Sequence, residues 1–317
     1  MKIIYMGMPD FAVAPLRTLL DNGHQVVAVV TMPDKAIGRH HDVLQASPVK
    51  QFAVERGIPV LQPEKLKDPA FLEELASYQA DLQVVVAFRM LPEVVWAMPP
   101  KGTFNLHAAL LPQYRGAAPI NWAVINGDLE TGVTTFFLDH EIDTGRIILQ
   151  ERCPIGPDDN AGDVHDRLME LGSALVLRTV EMIADGTATS TPQEQFMTQE
   201  PLRPAPKIFK ETLQINWDQP AQAVHNFVRG MAPYPAAWTT LPVNGKEQVV
   251  KIFATALPPH TDCQTLEYFQ PGTPDTDGKT YLRVRCQDGW LLLHSIQLGG
   301  KKRMDVADFL RGARVGE

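Results

Sequence analysis

The chain predicts an α/β protein of two domains, a mostly parallel sheet followed by a smaller β-barrel. Three observations carry that prediction. Its 317 residues, 44% hydrophobic and 21% charged, are globular in composition and too many for one ordinary core. Apolar strands alternate with amphipathic helices over the first part of the chain, and Asp81–Phe88 is a continuous apolar run of the kind a parallel strand shows when both its faces are buried. Beyond residue 230 the pattern changes to short strands separated by Gly, Asn and Asp turns, which fits a small barrel. The domains are expected at 1–186 and 207–317. Residues 187–206, rich in Thr, Gln and Pro, form the connecting linker.

Taken in order, Lys2–Met6 is a short apolar strand ending at Gly7. Asp10 opens a helix whose apolar face is Phe11, Val13, Leu16, Leu19 and Leu20. Gln25–Thr31 is the next strand and closes a βαβ unit. Only one glycine stands where a dinucleotide fingerprint wants three, which argues against NAD. Pro48–Gly57 and Pro69–Tyr78 read as helices around a short strand at Pro59–Leu61. Asp81–Phe88, Thr103–His107 and Val133–Leu138 follow as strands, then Ala161–Ala184 as a long amphipathic helix ending at Gly186. In the last part Gln222–Arg229 is a helix, and Trp238–Pro242, Val249–Thr255, Thr280–Arg285 and Leu291–Leu298 are strands.

Composition narrows the function classes. No apolar run approaches a membrane span, and Met1–Tyr5 runs straight into a strand pattern rather than a signal peptide. Cys153, Cys263 and Cys286 lack metal-ligand spacing and read as reduced thiols, so a cytoplasmic location is expected. The net charge of −8 disfavours indiscriminate nucleic-acid binding. It is unevenly spread: residues 207–317 hold 13 Lys and Arg against 11 Asp and Glu, and residues 1–206 hold 16 against 26. A mildly basic half is compatible with a local RNA contact.

The densest chemistry lies at Thr103–Ile120. On a strand, residues i and i+2 share a side, so Asn105 and His107 can converge. A fixed amide donor beside a titratable imidazole suits acyl transfer, which must hold a developing oxyanion and manage protons. Both residues approach the carboxyl end of their strand, where open α/β sheets bind ligands. Asp143 can complete the site, or can be a turn carboxylate capping Thr144-Gly145.

Asn105-Leu106-His107, followed by Leu110-Leu111-Pro112-Gln113-Tyr114-Arg115-Gly116-Ala117-Ala118-Pro119-Ile120 and then Ile142-Asp143-Thr144-Gly145, resembles the formyltetrahydrofolate-dependent formyltransferase family. The similarity runs from Tyr5-Met6-Gly7-Met8-Pro9-Asp10-Phe11 to Gly299-Gly300-Lys301-Lys302. It implies a Rossmann-like catalytic domain carrying an OB-like barrel, with 10-formyltetrahydrofolate as formyl donor and no metal. It further implies that Asn105 donates to the formyl oxygen, that His107 assists that oxygen or moves the proton, and that Asp143 orients or charge-stabilises His107. An oxyanion donor of this kind contributes ~3–4 kcal/mol.

The folate slot is implied at Phe88, Arg89, Met90 and Leu91, at Ala109, Leu110, Leu111 and Pro112, and at the loop holding Asp139 and Ile142. Backbone groups would read the amide face of the pterin while leucines pack its ring. Three positions depart from the family pattern: Arg89 where Gly is usual, Ala109 where Ser is usual, and Met8 where Thr is usual.

Among the activities that the resemblance implies, the long 34–48 loop and the β-rich C-terminal domain favour an acceptor carried on initiator methionyl-tRNA, in translation initiation, and the protein is expected to act as a monomer. In that reading Arg39 wedges among the terminal base pairs, and His40 and His41 stand where relatives carry lysines. Lys301, Lys302 and Arg303 are either a charged turn or a phosphate contact. The alternatives within the family are formyl transfer to an amino-sugar nucleotide and hydrolysis of the formylfolate with water as acceptor. A non-catalytic RNA-binding protein on the same scaffold is disfavoured by the intact Asn/His/Asp set.

Overall fold

The computed structural model describes residues 1–37, 43–258 and 269–316. The chain divides into two compact units, each assembled from separated stretches. The first comprises Met1–Gly116, Thr131–Cys153 and His165–Pro204, and the second Ala117–Glu130, Pro154–Val164 and Ala205–Glu317.

In the first unit, strands β1 (Lys2–Gly7), β2 (Gln25–Val30), β5 (Val60–Leu61), β6 (Leu82–Val86), β7 (Thr103–His107), β8 (Glu130–Phe137) and β9 (Ile147–Pro154) form one sheet in the order β5-β2-β1-β6-β7-β8-β9. The pairings of β1 with β2 and β6, of β2 with β5, and of β6 with β7 are parallel; β8 runs antiparallel to β7. A small ribbon pairs β3 (Lys35–Ile37) with β4 (Val43–Gln45). All five residues of β6 are buried: four are apolar, and the fifth, Gln83, has its Oε1 accepting from Thr103 Oγ1 at 3.0 Å. Strand β9 was not anticipated from sequence, because its burial does not alternate and its middle is half-exposed.

The helices begin where local chemistry starts them. Helix α1 (Asp10–Asp21) buries Phe11, Leu16 and Leu19, three of the five residues assigned to its apolar face; Val13 and Leu20 are half-buried. Helix α2 (Pro48–Glu55) is capped by Ser47, which accepts from Lys50 N–H at 3.1 Å, and α3 (Pro69–Ser77) by Asp68, which accepts from Ala70 N–H at 2.9 Å. Each carries proline at its first position, where the missing N–H costs nothing. Short α4 (Glu93–Trp96) links β6 to β7, and α6 (Ala161–Asp185) gives its first turn to the second unit and the rest to the first.

The second unit contains α5 (Pro119–Ile125), α7 (Ala221–Met231) and α8 (Val306–Leu310) with a curled antiparallel sheet. The sheet order is β10 (Ala237–Val243), β11 (Lys246–Ala256), β14 (Trp290–Leu298), β13 (Leu282–Arg285) and β12 (Pro274–Thr276), with β15 (Met304–Asp305) also on β14. Register shifts in β11 at Ile252–Thr255 bend the sheet into a half-barrel around Leu241, Val250, Ile252, Leu291 and Ile296. Among the described residues no helix is long and apolar enough to cross a membrane.

Candidate active site

Strand β7 positions the first two groups. Its backbone pairs Asn105 with Val85 on one side and Phe136 on the other, so the residue cannot slip in register. Asn105 is half-buried, and among the described residues its side-chain amide takes no hydrogen-bond partner. His107 is 6% exposed. Its Nε2 lies 2.8 Å from the carbonyl oxygen of Tyr114. A carbonyl can only accept, so Nε2 carries the hydrogen and Nδ1 is the basic nitrogen.

Nδ1 faces Asp143 Oδ2 at 3.9 Å, beyond hydrogen-bond reach but close for an ion pair once the ring is protonated. Although β8 leaves the sheet with Phe137 opposite Phe104, the loop that follows brings Asp143 back to the other end of β7. The carboxylate does not serve its own turn: Oδ2 accepts from Gly116 N–H at 2.9 Å, in the chain that folds back after β7. Asp143 sits at φ 57 and Tyr114 at φ 59, left-handed conformations that non-glycine residues adopt only where their surroundings hold them. The next turn closes at Gly145, where any Cβ would meet the Phe137 carbonyl oxygen.

The segment expected as a linker contributes to this arrangement. Thr191 bridges to Ile147, and Gln193 is buried, donating from Nε2 to the carbonyls of Asp143 (2.8 Å) and Gly145 (2.9 Å). Its Oε1 accepts from Arg115 Nε at 3.1 Å and Nη2 at 2.6 Å. Gln193 and the Tyr114 carbonyl are the two groups that sequence reading missed. Neither has a signal: one is a lone amide in a polar stretch, and the other is backbone.

The loops expected to form the slot do converge. Phe88 and Leu91 pack in one apolar cluster, Leu111 in another, and Leu138, at the root of the 139–143 loop, touches both. Among the described residues the backbone N–H and C=O groups of 88–91 take no protein hydrogen bonds, which leaves that stretch able to read a ligand amide. Residues 109–111 differ from expectation. The carbonyl of Ala109 accepts from Thr134 Oγ1 at 2.7 Å, Leu111 N–H donates to the same hydroxyl at 3.2 Å, and Gln150 Nε2 donates to the Leu111 carbonyl at 2.8 Å. These groups are engaged inside the protein, and Ala109, Leu111 and Pro112 are buried, so the half-buried Leu110 supplies most of what this stretch exposes.

Arg89 commits its guanidinium to the carbonyls of Pro63 and of Glu64 (2.8 Å), while its Nε is buried without a partner among the described residues. Burial lowers its pKa from the usual arginine value. Met90 and Ile142 are 73% and 60% exposed, and Asp139 is exposed with its carboxylate on His140 N–H at 2.7 Å.

Arg39, with His40 and His41, lies outside the described residues. In the second unit Lys301 and Lys302 are exposed, and Arg303 is pinned by a 2.7 Å bond from Nε to Ser295 Oγ, with its guanidinium carbon 4.5 Å from the centre of the Phe253 ring.

Two family models match, one described as formyl transferase over residues 1–180 and one as the formyl transferase C-terminal domain over residues 207–314. A methionyl-tRNA formyltransferase from Parabacteroides distasonis is 59% identical over 98% of this chain and 95% of its own length. Another from Bacteroides fragilis is 57% identical over 100% and 96%. Among solved structures, an N-formyltransferase from Helicobacter canadensis in complex with folinic acid and dTDP-3-aminofucose has a TM-score of 0.67, covering 96% of this chain and 100% of that one. At 20% identity that likeness speaks to the fold alone. With both family models matched and relatives more than half identical across nearly the whole length, the chain belongs to the formyl transferase family, alongside the methionyl-tRNA formyltransferases.

Proposed function

We propose that the chain transfers the formyl group of 10-formyltetrahydrofolate to the free amino group of initiator methionyl-tRNA, in the cytoplasm. The observation that supports this reading is the approach of Asp143 to His107 at 3.9 Å, on the strand that also bears Asn105, in a chain whose full-length relatives are methionyl-tRNA formyltransferases. The formylfolate supplies an acyl carbon attached to nitrogen. The amide of Asn105, without a partner among the described residues, donates to the formyl oxygen as negative charge develops there, an interaction stronger in the transition state than in the ground state.

His107 has one nitrogen fixed on the Tyr114 carbonyl, so Nδ1 takes the proton that the attacking neutral amine must lose once its nitrogen bonds to the formyl carbon. Asp143, 3.9 Å away, stabilises the imidazolium until the proton is returned to the departing folate nitrogen. The unpaired backbone of 88–91 fits a pterin amide face, with Leu91 and Leu111 as apolar walls. Arg39, Lys301, Lys302 and Arg303 are the candidate RNA contacts, the last three in the net-positive C-terminal stretch.

The test is direct. The protein is mixed with 10-formyltetrahydrofolate and methionyl-tRNA, and formylmethionine is sought on the RNA. Formylation of a dTDP-amino sugar instead, or release of formate without an acceptor, would replace this reading with one of the other family activities.

A further inference from the structure

Gln193 opens a short 3-10 turn (Gln193–Phe196) whose next three residues are exposed, yet it is itself 1% exposed. All of its bonding capacity points at the candidate site. Two hydrogens go to the Asp143 and Gly145 carbonyls, and its oxygen receives two from the Arg115 guanidinium. We infer that Gln193 is a positioning residue that holds the Asp143 carboxylate against His107, an inference that rests on the role given to Asp143 above.

The argument runs through both sides of the carboxylate. Asp143 adopts a left-handed backbone, which aspartate tolerates better than most residues but which still carries a cost for any residue with a Cβ. Gln193 fixes that backbone by its carbonyl. The Asp143 carboxylate is held from the other side by Gly116 N–H, the neighbour of Arg115. By gripping Arg115 as well, Gln193 ties together the residue that bears the carboxylate and the loop that receives it. The position calls for an amide: one group must donate twice and accept twice in a buried place. A carboxylate there can only accept, and an ammonium or guanidinium can only donate.

That difference supplies the test. Gln193→Glu keeps the size and gains an ion pair with Arg115, but presents oxygen to two carbonyl oxygens with no hydrogen to offer. The expected result is a fall in kcat of about 10- to 100-fold, with KM for both substrates within about threefold and the melting temperature nearly unchanged. On an Asp143→Asn background, already slow, the same change costs less than about threefold more, because groups acting as one unit are not additive. Gln193→Met, isosteric and uncharged, is carried through the same cycle and decides the matter should the Glu variant fail to fold. Losses that simply multiply on the Asp143→Asn background, a change confined to KM, or wild-type activity would each overturn the inference. Full activity of Asp143→Asn alone would instead remove the carboxylate from the reaction and take the inference with it.

Discussion

Asn105 and His107 sit two residues apart on one strand, but the structure gives them opposite hydrogen-bonding states. Among the described residues the Asn105 amide leaves its donors unengaged, whereas His107 commits Nε2 to the Tyr114 carbonyl and keeps only Nδ1 for protons. Asn105→Ala should therefore lower kcat by about two to three decades with little change in folding, since it removes an oxyanion donor and leaves no buried group orphaned. His107→Ala and Asp143→Ala should each cost about two decades or more. A single-turnover formylation assay reads all three, and near-normal turnover in any one removes that residue from the mechanism.

Arg89 makes a different prediction. Its guanidinium ties the 88–91 stretch to the carbonyls of Pro63 and Glu64, so Arg89→Ala should raise KM for the formyl donor several-fold while kcat stays within about twofold. An unchanged donor KM would show that this stretch holds its shape without the tether. At this scale the sequence was informative wherever a side chain follows strand periodicity, as at Asn105 and His107. It was silent where function depends on a backbone carbonyl, as with Tyr114, or on one amide arriving from 50 residues away, as with Gln193 and Asp143.

Among the elements, α7 shows how local chemistry and packing combine. Asn121 Nδ2 on α5 donates to the Gly230 carbonyl at 2.8 Å, and a Cβ on Gly230 would meet the Ile125 side chain. Gly230→Ala should cost about 1–3 kcal/mol of the second unit's stability through overpacking, read as a lowered denaturation midpoint. The same helix buries His225, whose Nδ1 lies 2.9 Å from Thr255 Oγ1. Burial pushes the His225 pKa below its usual value, helped by Arg229 and opposed by a backbone hydrogen bond at Pro157 and by Asp158.

The unfolded chain therefore takes up this proton first as pH falls. Stability is level above the free histidine value of about 6.5, declines from there down to the folded pKa, and then levels again. His225→Gln should flatten that part of the profile, which thermal melts between pH 8 and pH 5 would register. An undiminished slope would mean that another group titrates there. The long elements were legible in the sequence because α1, α6, β6 and β14 each carry enough apolar residues for the period to show. Helix α5 has only seven residues and buries just Ala123 and Val124, and β9 does not alternate, so neither stands out from its surroundings.

For the molecule as a whole, chain order and compact units do not coincide. Composition shifts mark residues 187–206 as a connection, but Thr191 and Gln193 are packed into the first unit, and the second unit recruits 117–130 and 154–164 from far upstream. Sequence periodicity cannot reveal this, because it reports which faces are apolar and not which distant segment covers them. Arg229 shows the physical cost of ignoring it: Nη1 donates to the carbonyls of Gly156 (3.2 Å) and Asp159 (2.9 Å), and Nε to Asn226 Oδ1 (2.9 Å).

A chain stopped after Pro206 keeps α5 and the 154–164 stretch but loses α7, leaving these carbonyls without the guanidinium and Ile125 without its cover. Such a fragment should not behave as an independent catalytic domain. The expected outcome is aggregation on size-exclusion chromatography, or a broad melt with dye-accessible apolar surface, and loss of formyl-donor binding with it. A fragment that stays monomeric, melts cooperatively and still binds the donor would show that the two upstream stretches find other cover, and that the boundary near residue 206 is the true division of the fold.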